Sequence, residues 1–229
     1  MATELSDFQN GKFILIDKDK DWTSFDVVNK IRSTLKYHFN VKKIKVGHAG
    51  TLDPLATGLL IIGTGKKTKE LQTHQDAPKE YVTTVKLGAT TPSFDLETEE
   101  DKTFSTENIT EDEIKKVVNS FIGKQKQVPS SYSAKWINGK RAYESARKGE
   151  EVKLEPVDIE IYEMEILNIS MPSVELRIKC SKGTYIRAIA RDLGNALNNG
   201  AYLTKLRRTK IGDFSVKDAI TIDKFQKLL

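Results

Sequence analysis

The stretch Lys45-Val46-Gly47-His48-Ala49-Gly50-Thr51-Leu52-Asp53-Pro54-Leu55-Ala56-Thr57-Gly58-Leu59-Leu60 constrains this chain more than any other part of it. Glycines, a histidine and an Asp-Pro step stand directly ahead of the apolar run Leu59-Leu60-Ile61-Ile62. Glycine lets a backbone turn tightly or come close to a ligand. A proline after Asp53 pushes that residue into an extended conformation and removes the next backbone donor. The expected structure is a fixed loop that leads into a buried strand and holds one carboxylate at its rim. A lone Asp-Pro usually just ends an element. Sixteen residues of this character predict a loop that a rigid scaffold presents for chemistry.

The flanking elements follow from periodicity. Residues 11–17 read as a short buried strand, and 79–88 as a strand rich in β-branched residues. Thr23-Ser24 caps a helix whose apolar positions are Phe25, Val28, Ile31, Leu35 and Phe39, with Asp26 suited to the positive helix end. Thr110 and Glu113 form a capping box for a second helix, with Ile114, Val117, Val118 and Phe121 on one face and Gly123 at its end. Two strands are expected near 159–169 and 174–181. A helix then opens at Ser181-Lys182-Gly183-Thr184-Tyr185-Ile186-Arg187, with Ile189, Ala190, Leu193, Ala196 and Leu197 inward. The dipole opposes an arginine at a helix N-terminus, so Arg187 calls for a carboxylate partner, and Asp53 is the candidate. Asp95, Glu97, Glu99, Glu100 and Asp101 read as a solvated acidic loop. Strands and helices intermix without regular βαβ alternation, which predicts an α+β (mixed α/β) fold with a large, mainly antiparallel sheet.

At 229 residues with 38% hydrophobic content, the chain suits one large domain or a domain plus a small appendage, with enough apolar residues for a core. A net charge of +5 tilts toward an anionic partner such as nucleic acid. The lone Cys180 rules out an intramolecular disulfide and fits a reducing compartment. No apolar run reaches membrane-spanning length and no signal peptide opens the chain, so a cytoplasmic protein with no membrane contact is expected. Gly63-Thr64-Gly65-Lys66-Lys67-Thr68 invites comparison with a phosphate-binding P-loop but fails, because Lys67 stands where the hydroxyl belongs. A nucleotide cofactor is therefore not expected. No Cys/His cluster has metal-ligand spacing either, so neither a metal nor any other cofactor is expected.

Residues 47–60 resemble the catalytic motif of the TruB family of pseudouridine synthases, Gly-His-(Ala/Thr)-Gly-(Thr/Ala)-Leu-Asp-Pro-x-Ala-Thr-Gly-(Leu/Met)-Leu, and match it throughout. Lys182-Gly183-Thr184-Tyr185-Ile186-Arg187 is a second match far along the chain. Leu206-Arg207-Arg208 with Gly212 and Phe214 is similar to the family's Leu-Arg-Arg-x-x-x-Gly-x-Phe. The family usually reads Asp-Lys-Pro-x-Gly-x-Thr-Ser where this chain has Asp17-Lys18-Asp19-Lys20-Asp21-Trp22-Thr23-Ser24, so the proline and the glycine are lost. The resemblance covers roughly residues 10–225. It implies the pseudouridine synthase catalytic fold, a mixed sheet flanked by helices, and a short form without the C-terminal PUA-type domain that many relatives carry.

It further implies conversion of uridine to pseudouridine in the T-loop of elongator tRNAs (tRNA position 55), by a monomer that flips the target base out of its stack. Asp53 is implied as the catalytic carboxylate, acting either as a nucleophile at C1′ or as a base on the ribose. Arg187 is implied as its supporting cation, since an opposite charge nearby favours a carboxylate's charged form. Tyr185 is implied as a pocket hydrogen-bonding group that assists proton loss from C5. Tyr81 is implied to stack on the flipped base, Leu206 to support it from the other side, and His48 to fill the space it vacates. The basic and aromatic residues of 129–149 suit RNA, with phosphate contacts from cations and stacking from aromatics. They are similar to a family insertion that grips RNA, placed here at about 126–156. Lys45, Lys135, Lys140, Arg141, Arg147, Arg207 and Arg208 are the expected RNA contacts, and the partner is the T-arm of tRNA.

Two rival classes are a noncatalytic RNA-binding or tRNA-folding protein on the same scaffold, and a glycoside or nucleoside hydrolase. Joint retention of Asp53, Tyr81, Tyr185 and Arg187 speaks against the first. The second usually needs another carboxyl group as acid or base, and no Asp or Glu lies near the motif to serve.

Overall fold

The computed structural model describes residues 4–133, 135–137, 139–150 and 152–229. Its helices are α1 (Leu5–Asn10), α2 (Ser24–His38), α3 (Leu71–Asp76), α4 (Glu111–Ser120), α5 (Ala142–Ala146), α6 (Ile186–Ala196) and α7 (Ile222–Lys227). The first seven strands are β1 (Phe13–Lys18), β2 (Val46–Ala49), β3 (Thr57–Thr64), β4 (Lys79–Leu87), β5 (Ala89–Thr90), β6 (Lys102–Thr103) and β7 (Gly123–Gln127). After these come β8 (Trp136–Ile137), β9 (Lys140–Arg141), β10 (Val157–Ser170), β11 (Ser173–Cys180), β12 (Ala201–Ile211) and β13 (Phe214–Ser215). The result is a mixed α/β protein with a large mixed sheet flanked by helices, as the sequence pattern predicts.

The chain divides into two compact units, one of residues 1–81 with 206–229 and the other of residues 82–205. In the first, β3 is the central strand. β1 runs antiparallel along it from Phe13↔Gly63 to Lys18↔Gly58, and β2 pairs with it from Val46↔Thr64 to Ala49↔Ile61. The C-terminal part of β12 joins it in parallel at Arg207↔Thr57 and Arg208↔Gly58. Neighbouring side chains of a strand point to opposite faces. Leu60 and Ile62 accordingly enter a core with Val27, Val28, Ile31, Leu35, Ile222 and Phe225. Leu59 and Ile61 enter another with Ala49, Leu71 and Ile211. A strand covered on both faces reads as a continuous apolar run, and that is what 59–62 is. Val46–Ala49 is strand, so the loop that leads into β3 is 50–56.

The second unit is organised around the β10–β11 hairpin, with β7 antiparallel on the far side of β10. Ile159, Ile161, Met164, Val174, Leu176 and Ile178 are buried there, as are Ile114 and Val118 of α4 and Ile189 and Leu193 of α6. Thr110 and Glu113 make the expected capping box, each side chain reaching the other's backbone N–H. Between β7 and β10 lie the β8–β9 hairpin and α5, in the segment expected to grip RNA. Ala134, Asn138 and Glu151 of that segment lie outside the described residues.

Candidate active site

Asp53 sits partly exposed on the 50–56 loop, and the loop is held by side chains from three other elements of its unit. Ser24, buried in the first turn of α2, accepts the Leu52 N–H at 2.8 Å and donates to the Leu52 carbonyl at 3.3 Å. Thr23 caps the same helix by accepting from Asp26 N. The Thr-Ser pair therefore splits its work, one hydroxyl for the helix and one for the loop.

Lys18, at the end of β1, is fully buried and donates to the carbonyls of Asp19 (2.9 Å), Trp22 (2.7 Å) and Pro54 (3.3 Å). Burial lowers its pKa from 10.5 to about 8, against the opposing pull of the Asp53 charge. Asp21 occupies the place of the family's lost glycine and takes φ +66°, the left-handed region that Asp tolerates better than most residues. Its N–H donates to the Pro54 carbonyl at 2.9 Å. The departure from the family pattern thus keeps the glycine-like backbone bend.

Arg208 is the third anchor and corrects an expectation. Proposed from sequence as an RNA contact, it is only 1% exposed. Its guanidinium donates to the carbonyls of Leu59 (2.8 Å), Gly50 (3.1 Å) and Thr51 (3.4 Å). A phosphate has no access to a group so enclosed. Burial lowers the Arg208 pKa, while the Tyr81 hydroxyl, hydrogen-bonded to it, and the Asp53 charge raise it. Gly58 is required by the same contact: at φ +103°, a Cβ there would lie 2.3 Å from the Arg208 carbonyl oxygen. Tyr81 is 9% exposed on β4. Within one unit the fold thus gathers Asp53, Lys18, Tyr81 and Arg208 around the 50–56 loop, two buried cations beside one carboxylate.

Arg207, one residue earlier, forks onto Asp17 at 2.9 and 2.6 Å and keeps about two-fifths of its side chain exposed. Leu206 is half-buried beside it. His48 lies on β2 with its carbonyl accepting from Gln75 at 3.3 Å. Burial pushes its pKa below the ordinary value, partly offset by the backbone of Gly50, so the ring is neutral at physiological pH. A neutral ring suits packing against a base better than pairing with a phosphate.

In the other unit, Tyr185 is the N-cap residue of α6. Gln127 accepts its N–H at 2.9 Å and donates to its carbonyl at 3.1 Å, and Gln127 is itself 2% exposed. Sequence reasoning missed Gln127, whose signal is a polar side chain at the inward end of a strand. Arg187 is 4% exposed, with Asp95 at 3.6 Å and the carbonyls of Tyr132 (3.0 Å) and Ser93 (3.3 Å) accepting from it. The acidic run expected to be solvated is therefore partly structural. Asp95 is 7% exposed beside Arg187, Glu97 binds Arg147 at 2.7 Å, and Glu100 takes both Lys86 and the Tyr202 hydroxyl. The dipole argument for a carboxylate near Arg187 is met within the unit by Asp95.

Among the other expected RNA contacts, Lys45, Lys140 and Arg147 are exposed and Lys135 and Arg141 half-buried. Arg141 stacks on exposed Trp136 at 4.3 Å from the ring centre, and Arg147 on Tyr143 at 5.1 Å.

Residues 36–186 match the model of the TruB family pseudouridylate synthase N-terminal domain, and residues 187–229 match that of the tRNA pseudouridylate synthase B C-terminal domain. Both describe one class of enzyme, the pseudouridylate synthases, which are isomerases. The chain is similar to the tRNA pseudouridine synthase B of Phocaeicola vulgatus, 52% identical over 97% of this chain and 94% of that protein. It is likewise similar to that of Flavobacterium johnsoniae, at 50% identity over 97% and 98%. Among solved structures, it resembles a chain of a Cbf5-Nop10-Gar1 complex with a TM-score of 0.72 and 29% identity. The match covers 96% of this chain and 54% of that one, so this chain spans about half its length. This chain belongs to the TruB family of pseudouridylate synthases.

Proposed function

We propose that this enzyme isomerises the T-loop uridine of elongator tRNAs, position 55, to pseudouridine, working as a cytoplasmic monomer with one catalytic domain. The observation that carries the reading is the fixing of the Asp53 loop by three buried side chains, Ser24, Lys18 and Arg208. Chemistry on a base inside a folded arm requires that base to leave its stack, and a rigid carboxylate meets it without rearranging.

The reaction breaks the C1′–N1 bond, rotates the freed uracil and forms the C5–C1′ bond. The C5 proton leaves and N1 gains one, so no oxidant or energy source is consumed. Asp53 acts at the ribose, as nucleophile at C1′ or as base. Tyr81 stacks on the flipped uracil, Leu206 backs it, and neutral His48 fills the gap left in the RNA. Arg187 and Tyr185 complete the catalytic set, Tyr185 serving the C5 proton. The 126–156 segment, with Arg141 held on Trp136, supplies further RNA contacts.

The test is pseudouridine formation at the T-loop of an unmodified tRNA transcript, wild type beside Asp53→Asn. Conversion by the wild type alone, with the variant still binding tRNA, is the expected result. Tight binding without conversion by the wild type would favour a tRNA-folding protein, and release of free uracil a hydrolase.

A further inference from the structure

One feature of the first unit has no part in the reaction just described. Lys36 at the end of α2, Lys42, Lys43 and Lys45 before β2, and Lys66 and Lys69 in the turn after β3 line a single groove, joined by Arg32. The groove holds about 660 Å³, and no carboxylate is among its lining residues. All six lysines are exposed, and none makes an ion pair among the described residues. Arg32 is fixed, donating to Asn29 at 2.8 Å and to the Val46 carbonyl at 3.0 Å. A second cavity shares Arg32, Lys45 and Lys69 and runs on to Gly47 and His48, next to the loop that carries Asp53.

Helix electrostatics account for Lys36, since a cation suits a helix C-terminus. They do not account for the other five, which come from two separate segments and repel one another. Like charges gathered without partners raise the local potential and favour a polyanion. We propose that this groove is a phosphate-binding track, along which the backbone of the substrate RNA runs away from the flipped nucleotide past His48. The Gly65-Lys66-Lys67-Thr68 turn that fails as a P-loop thereby finds an anion of another kind. The proposal rests on the reading that the substrate is RNA, and it concerns affinity rather than the chemical step.

The test is binding of a tRNA transcript by Lys42→Gln/Lys43→Gln/Lys66→Gln/Lys69→Gln, with Kd followed across 50–300 mM NaCl. Each phosphate contact contributes about 0.7–0.9 to the slope of log K against log salt. With four lysines removed, the slope should therefore flatten by roughly 3–4, and Kd should weaken by about tenfold or more at 0.15 M salt. The corresponding Lys→Arg quartet, which keeps the charges, should bind as the wild type does. An unchanged Kd and slope in the Gln quartet overturns the proposal. So does equal weakening in the Arg quartet, or loss of binding to phosphatidylserine vesicles with tRNA binding intact. Wild-type pseudouridine formation, read on the same transcript, reports on the reaction separately: no product with the groove effect present would sink the reaction and leave the groove.

Discussion

Among the described residues two arginines are buried, Arg208 and Arg187, and they are held in different ways. Arg208 spends its guanidinium on three main-chain carbonyls of the loop and strand around Asp53, and on the Tyr81 hydroxyl. Carbonyls satisfy its donors but carry no net charge, so its positive charge remains in force beside the Asp53 carboxylate. Arg187 faces the buried carboxylate of Asp95 together with the carbonyls of Ser93 and Tyr132. One arginine ties down a loop and lends it charge. The other meets a buried carboxylate at the start of α6. Burial alone does not say which job a cation has; the identity of its acceptors does.

That contrast is most open to attack at Arg208. Replacement by Met strands three carbonyls and removes a buried cation from beside Asp53. A loss of about 3–5 kcal/mol of unfolding free energy is expected, with loss of pseudouridine formation in whatever remains folded. A variant that unfolds within 1 kcal/mol of the wild type in urea would show that Arg208 does not hold the loop.

Lys18 sharpens the comparison, because a lysine can yield its proton where an arginine cannot. Its folded pKa of about 8 lies below the unfolded 10.5, so between those values the unfolded chain binds more protons. Stability from this group therefore rises with pH across that window, and the cost of the buried charge is fully present below pH 8. The rise should total roughly 3 kcal/mol and should vanish in Lys18→Met, as read by urea midpoints from pH 7 to 10.5. A slope unchanged in the variant would assign the rise to another group.

At Asp95 the effect should be smaller. Asp95→Asn keeps the shape and an acceptor while removing the charge opposite Arg187, for an expected cost of about 1–3 kcal/mol by thermal melting. Smallest of all is Arg177, which meets Glu165 across β10 and β11 with about half of each side chain exposed. Arg177→Ala should shift stability by about 0–1 kcal/mol, because solvent screens an exposed pair. An Arg177 effect as large as that of Asp95 would break the argument that burial separates these arginines.

Much of this was legible in the chain. The caps of α2 and α4, the buried run 59–62 and the carboxylate on its loop all follow from local chemistry that a single segment contains. Arg208 was not legible as an anchor. Adjacent strand residues face opposite sides, so either Arg207 or Arg208 had to turn inward, and nothing local says which. Only the approach of β3, with Gly58 against the Arg208 backbone, decides it. Asp95 was misread for a similar reason: within its own segment it is one of five acids, and only the distant Arg187 distinguishes it. The short α1 and the full length of β12 were not anticipated either, since both depend on contacts far along the chain.

The bond from Arg208 to the Leu59 carbonyl joins residues 149 positions apart. During synthesis Asp53 therefore leaves the ribosome long before the last of the three residues that fix its loop. At ordinary translation speeds the interval is about 7–30 s. A nascent chain that has not yet reached Arg208 holds the Asp53 loop by Ser24 and Lys18 alone, so the third anchor arrives last. Order of synthesis thus sets the order in which the loop is fixed.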